Sequence, residues 1–159
     1  MTLVPDAPTF LRQVGATGAL LGLDPGTKTI GVAISDERRT LASPLETVER
    51  NGLAHDFEQL GQVIRERRAC GIVLGMPVNM DGSMGRRAQS VRAFSRHIED
   101  AFGLPVLHWD ERLSTVAAEE AMIATDTRRA KRAARIDAAA AASILQGALE
   151  TFTGLAAQS

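Results

Sequence analysis

The sequence holds a single cysteine, Cys70, and only three histidines, which lie far apart. One cysteine cannot form an internal disulfide, which is typical of proteins from a reducing cytoplasm. One cysteine with scattered histidines also excludes a zinc cluster of the usual kind. Cys70 precedes an apolar strand-like run and is interpreted as a core residue, so no nucleophilic cysteine or serine triad is predicted.

Long apolar runs are missing as well. No segment approaches the about 20 apolar residues of a membrane span, and the N-terminus lacks the blocks of a secretion signal. The 159 residues, 45% hydrophobic and 23% charged, match one globular domain. We expect this domain over residues 18–152, after a loose leader at residues 1–17. We also expect a cytoplasmic protein with no membrane partner.

The strongest local pattern is an apolar run that ends at Asp24, a turn at Pro25-Gly26, and a return run with alternating apolar residues. Alternation with a period of two predicts a strand on each side of the turn. The segment from Thr40 to Val48 predicts a third strand, and Pro44 within it favours an edge position.

Helical and strand-like segments alternate after this meander. Helical spacing of apolar residues predicts helices over about residues 53–67, 88–103, 114–124 and 134–150, and strands near residues 72–74 and 106–109. Three strands followed by crossover units predict an α/β fold, with a mixed five-stranded sheet flanked by helices.

Carboxylates follow two of the predicted parallel strands. Asp24 ends the first strand, and the pair Asp110-Glu111 ends the last one. Because parallel strands end at the same edge of a sheet, these groups are predicted to share that edge. A second Asp-Glu-Arg triplet, Asp36 to Arg38, follows the antiparallel strand and is expected at the opposite edge.

Asp137 is a third candidate, since it shares a helix side with Ala141, Ile144 and Leu145. A carboxylate beside an apolar stripe must be compensated, and a divalent cation would do so. Magnesium and manganese prefer such oxygen ligands, and the site would suit phosphodiester hydrolysis. The plainer interpretations remain open: Asp24 could cap a turn, and Asp137 could interact with its helix dipole.

Net charge is −1, but the arginines are clustered. Five basic residues lie within Arg128 to Arg135, which is interpreted as a loop, and a second group runs from Arg86 to Arg96. Such clusters are often solvated faces, yet beside a carboxylate site they suit a phosphate backbone. Aromatic residues are 4% of the chain, so base stacking cannot be the main recognition device. Trp109 is interpreted as a core residue.

Four ordered blocks resemble the YqgF/RuvX family, over residues 18 to 150. The first block is Leu23-Asp24-Pro25-Gly26-Thr27-Lys28-Thr29-Ile30-Gly31-Val32-Ala33, and the second is Leu74-Gly75-Met76-Pro77-Val78-Asn79-Met80-Asp81-Gly82-Ser83. The third is Asp110-Glu111-Arg112-Leu113-Ser114-Thr115, and the fourth is Ile136-Asp137-Ala138-Ala139-Ala140-Ala141. Four blocks in the right order are far more specific than any one of them.

The resemblance implies an RNase H-like fold and a bacterial metal-dependent nuclease using Mg²⁺ or Mn²⁺. Asp24, Glu111 and Asp137 match its catalytic and metal-binding carboxylates, while Asp110 is the weaker candidate. It further implies processing of the 5′ end of the small-subunit (16S) ribosomal RNA precursor or, alternatively, cleavage of four-way Holliday junctions. The expected partner is therefore structured RNA or branched DNA.

Nucleic-acid contacts are expected from six residues: Lys28, Asn79, Arg128, Arg129, Lys131 and Arg132. Asn79 could instead serve only the local turn. A junction-cutting enzyme would call for a two-fold homodimer. The sequence also allows two alternative functions: an actin-like ATP-binding protein, which the single-domain length disfavours, and a non-catalytic RNA- or protein-binding module.

Overall fold

A computed structural model describes residues 3–4, 7–26, 28–77, 85–110 and 129–158, and for residues 3–4, 129–137 and 156–158 it describes the backbone alone. These residues form one mixed six-stranded sheet with helices on both faces. The strands are β1 (Leu3–Val4), β2 (Leu20–Pro25), β3 (Thr29–Ser35), β4 (Ala42–Glu49), β5 (Gly71–Met76) and β6 (Val106–Asp110). The helices are α1 (Ala7–Val14), α2 (Leu53–Arg67), α3 (Arg86–Phe102) and α4 (Arg129–Gln158).

The strand order is β1-β6-β5-β2-β3-β4. The pairs β1–β6, β6–β5 and β5–β2 are parallel. Strand β3 is antiparallel to both of its neighbours, β2 and β4. The predicted meander and crossovers are therefore confirmed, and β1 adds a sixth strand to the five expected. We call the edge at which β2, β5 and β6 end the carboxyl edge.

Two apolar layers cover the sheet, because its central strands are buried on both faces. Leu21, Leu23 and Leu74 pack towards α2 and α3, on what we call the α3 face. Leu20 and Val73 pack towards α1 and α4, on the α4 face. Alternation along each strand therefore decides which helices a given side chain meets.

The β4 strand lies at the sheet edge, as Pro44 predicted. The pairing register of β3 and β4 shifts between Val32 and Ala33, close to where Ala33 pairs with Pro44. A proline cannot donate to the strand ladder, so an edge position with an irregular register accommodates it.

The N-terminal segment is better ordered than the predicted loose leader. Helix α1 packs Phe10 and Val14 into the α4-face layer, and the Phe10 ring lies 5.9 Å from that of Phe152. Strand β1 pairs with β6. The prediction was wrong for residues 7–14, because this short helix gains its stability from tertiary packing rather than from a long periodic pattern.

The final helix is longer than predicted, since α4 begins at Arg129 rather than near Ala134. The basic residues from Arg129 to Arg135 therefore lie on a helix and not on a loop. Arginine, lysine and alanine are all strong helix formers, which accounts for this start. The helix predicted over residues 114–124 lies outside the described residues. In the described part of the chain, no helix is both long and apolar enough to span a membrane.

Candidate functional site

Asp24 is the next-to-last residue of β2 and lies at the carboxyl edge. Two residues earlier, a Cβ on Gly22 would meet Leu145 Cβ at 2.8 Å and the Ala141 carbonyl oxygen at 3.0 Å. Side chains two apart on a strand share a face, so the half-buried Asp24 side chain projects from the α4 face.

Glycines lie on both sides of Asp24 in the sheet. Gly31 of β3 is its direct pairing partner. Leu23 pairs with Leu74 of β5, so Asp24 is level with Gly75. Neither glycine carries a side chain, and both are buried in the sheet beside the carboxylate.

The end of β6 presents its residues to alternate faces. His108 bonds Ser95 of α3 through Nε2 at 2.9 Å, so it faces α3. Asp110, two residues further, faces the same way, whereas Asp24 faces α4. Asp24 and Asp110 thus share the carboxyl edge, as predicted, but leave it on opposite faces. Glu111 lies outside the described residues.

Helix α4 runs antiparallel to β2 across the α4 face. Ala141 and Leu145 lie against Gly22, whereas Phe152 lies against Phe10, near the start of the parallel strands. The first turns of α4 therefore extend towards the carboxyl edge. The backbone of Asp137 is one helical turn before Ala141, about 6 Å along the axis in the direction of Asp24.

Among the described residues, no three His, Cys, Asp or Glu side chains form a metal-binding group. Of the three carboxylates predicted to bind metal, only Asp24 has a described side chain. The structure thus gives the position of Asp24 and the backbone position of Asp137.

The Pro25-Gly26 segment that follows Asp24 is held by two arginines. Arg50 donates from Nη1 to the Gly26 carbonyl at 2.6 Å, and Arg87 donates from Nη2 to the Pro25 carbonyl at 3.2 Å. The chain reverses between Gly26, whose N–H donates to the Thr29 carbonyl at 2.8 Å, and Thr29 itself. These bonds fix the backbone next to the candidate carboxylate.

Arg50 is itself fixed by the α3-face layer. Its Nε lies 3.6 Å from Oδ2 of the buried Asp56, and its guanidinium stacks 5.1 Å from the centre of the Phe94 ring. Asp56 also accepts the Asn51 backbone N–H at 2.9 Å. Sequence reasoning missed Arg50, since no local pattern links it to a turn 24 residues earlier.

The predicted nucleic-acid contacts are only partly described. Lys28 lies at the reversal between β2 and β3, exposed at the carboxyl edge, and its carbonyl accepts the Arg50 backbone N–H at 2.9 Å. Arg129, Lys131 and Arg132 lie on the first turns of α4, the end of that helix nearest the carboxyl edge. Asn79 and Arg128 lie outside the described residues.

Two β6 side chains near the site, His108 and Trp109, pack against the protein interior. Burial, and then the charge of Arg92, lowers the pKa of His108 from its ordinary value. Trp109 is partly buried and packs against the α4-face layer, next to the predicted core. Its buried indole N–H has no acceptor among the described residues.

Asp36 lies at the edge opposite Asp24, as predicted for the second triplet. Hydrogen bonds from the Leu41 N–H and from the hydroxyl and N–H of Thr40 lower the pKa of this carboxyl to about 2. Its bonds thus belong to the turn between β3 and β4.

Comparison with known proteins gives the family. The family described as "RuvX: Holliday junction resolvase" matches residues 18–151. A Rhodobacter capsulatus protein named "Putative pre-16S rRNA nuclease" is 51% identical over 153 residues, covering 96% of this chain and 96% of that protein. A Cereibacter sphaeroides protein of the same name is 55% identical over 146 residues, covering 92% and 91%.

Among solved structures, the chain resembles Thermus thermophilus RuvC, which was determined in complex with a Holliday junction substrate. The TM-score is 0.51 at 18% identity, over 86% of this chain and 96% of that one. This likeness confirms the RNase H-like fold expected from the sequence. With the match over residues 18–151 and relatives above 50% identity, the chain belongs to the RuvX family.

Proposed function

We propose that this protein is a nuclease that hydrolyses phosphodiester bonds at the carboxyl edge, with Asp24, Glu111 and Asp137 as its metal-binding and catalytic carboxylates. The observation that carries the proposal is the placement of Asp24. It projects from the α4 face between two positions without side chains, and the first turns of α4 extend towards it.

The other two carboxylates are assigned from the elements that lead to them. Along β6, Leu107 and Trp109 face α4, so an extended chain would present residue 111 to that same face. Asp137 follows from the α4 backbone, one turn before the residue that contacts Gly22. In this proposal, a second and a third carboxylate would lie on the face that Asp24 occupies.

Three carboxylates suit a hard divalent cation and leave coordination positions for a substrate phosphate and water. Mg²⁺ or Mn²⁺ bound there supplies activation of a water molecule and stabilisation of the leaving oxygen. The residues of this chain orient the strand: Lys28 contacts a phosphate at the hairpin end, and the first turns of α4 supply further positive charge.

The substrate that we favour is the pre-16S ribosomal RNA, cleaved at its 5′ end. Two relatives named "Putative pre-16S rRNA nuclease" are 51% and 55% identical to this chain over more than nine-tenths of its length. The family description favours a second substrate, a four-way DNA junction. Symmetric cutting of a junction would require a two-fold homodimer. We place the reaction in the cytoplasm, consistent with the free thiol of Cys70.

The test is cleavage-site mapping on a ribosomal precursor beside a four-way junction, each with Mg²⁺ or Mn²⁺. We expect Asp24→Asn to abolish cleavage and to leave nucleic-acid affinity nearly intact. Asp36→Asn is the matched control, since it removes the same charge at the opposite edge and should retain cleavage. Undiminished hydrolysis by Asp24→Asn would refute the proposal, and no metal-dependent turnover on either substrate would favour a non-catalytic binding module.

A further inference from the structure

A cavity of about 210 Å³ lies beside the Pro25-Gly26 segment, on the α3 face of the carboxyl edge. Three different parts of the chain meet there: the end of β2, the residue after β4, and the first turns of α3. The lining residues are Pro25, Gly26, Arg50, Arg87, Ser90 and Val91.

The lining is cationic. A guanidinium carries five N–H donors, and Arg87 donates from one nitrogen, Nη2, to the Pro25 carbonyl. Arg50 donates a hydrogen bond to the Gly26 carbonyl and forms an ion pair with Asp56. Among the described residues, no carboxylate belongs to the lining and Arg87 forms no ion pair. Ser90 belongs to the lining as well, and its hydroxyl is a further potential donor.

The volume selects the size of the ligand. Pockets that enclose drug-sized ligands measure about 300–1,000 Å³. A cavity of about 210 Å³ lies below that range and can hold a single anionic group. Planar guanidinium groups are well matched to the oxygens of a phosphate.

Arg87 does not stabilise helix α3 through the helix dipole, so helix stability does not explain its position. The first turn of α3 contains no acidic residue and begins with Arg86 and Arg87. Positive side chains are unfavourable at that end of a helix, where carboxylates are preferred. The arginines are therefore placed against the local preference, next to a segment that leads to Asp24.

We propose that this cavity binds one backbone phosphate of the nucleic-acid strand whose neighbouring phosphodiester reaches Asp24. Asp24 and Pro25 are adjacent and project to opposite faces of the same edge, so a strand that crosses the edge contacts both places. The proposal rests on the proposed function for the identity of the strand. The phosphate site itself requires neither metal nor cleavage.

The first test titrates inorganic phosphate into the metal-free full chain at constant ionic strength, with chloride as the reference, and follows amide NMR signals. Saturable shifts at Gly26 and Ser90 are expected in the wild type and in Arg86→Ala. Arg87→Ala should weaken the response at least about tenfold, which is one lost charge-assisted contact. Arg86 is the matched control, because it is an exposed arginine in the same helical turn but lies outside the lining.

Failure to saturate in the wild type, or equal losses in the two arginine variants, would overturn the phosphate site. Since Arg87→Ala also removes the bond to Pro25, Ser90→Ala provides a second variant that leaves this bond in place and should weaken phosphate binding. Full binding by Ser90→Ala together with a lowered unfolding temperature of Arg87→Ala would assign Arg87 a structural role and contradict the proposal.

The second test measures binding of single-stranded RNA as a function of salt in the Asp24→Asn background. Loss of one phosphate contact should reduce the slope of log K against log salt by about 0.7 in Arg87→Ala, with a smaller change in Arg86→Ala. An equal change in both would contradict the proposal. Because cleavage plays no part in either test, a failed phosphate site and a failed nuclease assignment give different results.

Discussion

At the scale of single residues, the site depends on positions that lack a side chain. Gly31 and Gly75 flank Asp24 without adding a side chain, and Gly22 lets α4 approach the sheet. The position of Asp24 near the end of β2 was predictable, because an apolar run followed by a turn is a local signal. The sequence did not predict that glycines flank Asp24, because this depends on the pairing register of the strands, which no local sequence pattern reveals.

Replacing Gly22 by alanine should destabilise the fold by about 1–3 kcal/mol, because the new methyl group would overlap Leu145 Cβ and the Ala141 carbonyl. It should also displace α4, and with it Asp137, from β2. Urea unfolding measures the free energy of unfolding, and cleavage assays report the displacement.

The control is Gly154→Ala on the same helix. Apart from the chain neighbours and the helix's own backbone, no atom of the described residues lies within 4 Å of the new Cβ there, and helix propensity predicts a gain of up to about 1 kcal/mol. A Gly22→Ala protein as stable as the wild type would contradict the close packing of α4 on β2.

At the scale of elements, strand β6 carries a partly buried histidine, His108, whose protonation should affect stability. Since burial lowers the pKa of His108, the unfolded chain binds a proton near pH 6.5 that the folded chain binds only at lower pH. Stability should therefore fall as pH drops below about 6.5 towards the folded pKa. The slope should stay under the about 1.4 kcal/mol per pH unit of a fully shifted group, because His108 is partly exposed.

Urea unfolding of the wild type and of His108→Gln at a series of pH values between 7.5 and 5 measures this contribution. Glutamine can still bond the Ser95 hydroxyl but does not titrate in this range. The pH dependence of the variant should be shallower than that of the wild type, and identical profiles would remove His108 as its source.

Elements with a long apolar period were predictable and those held by distant contacts were not. Helices α2 and α3 and strands β2 to β6 were predicted near their observed bounds. Helix α1 and strand β1 were missed, because eight and two residues carry too little periodicity and depend on packing against α4 and β6. The cluster of charges predicted a loop at residues 128–135, whereas the helix propensity of arginine, lysine and alanine favours the observed helix from Arg129.

At the scale of the whole molecule, a net charge of −1 hides an uneven distribution. Basic residues of the first turns of α4 are nearest the carboxyl edge. Other exposed arginines, Arg12, Arg65 and Arg67, lie on α1 and at the end of α2, towards the opposite edge. Nucleic-acid affinity should depend on the first set, because phosphate contacts act locally in salt.

Replacing Arg129, Lys131 and Arg132 by alanine should reduce the salt slope of single-stranded RNA binding by about 2, at about 0.7 per lost phosphate contact. The triple variant of Arg12, Arg65 and Arg67 removes the same charge from the other end and should change the slope far less. Binding isotherms over a salt series provide the measurement. Equal slopes in both triple variants would show that net charge alone attracts the strand.

The central claim is that carboxylates distant in sequence gather at one metal site on the α4 face. Its most direct test is Mn²⁺ binding, measured by electron paramagnetic resonance, in the wild type and in single variants. We predict that Asp24→Asn, Glu111→Gln and Asp137→Asn each weaken Mn²⁺ binding at least about tenfold, while Asp36→Asn binds as the wild type does. Wild-type Mn²⁺ affinity in Asp24→Asn would contradict the account.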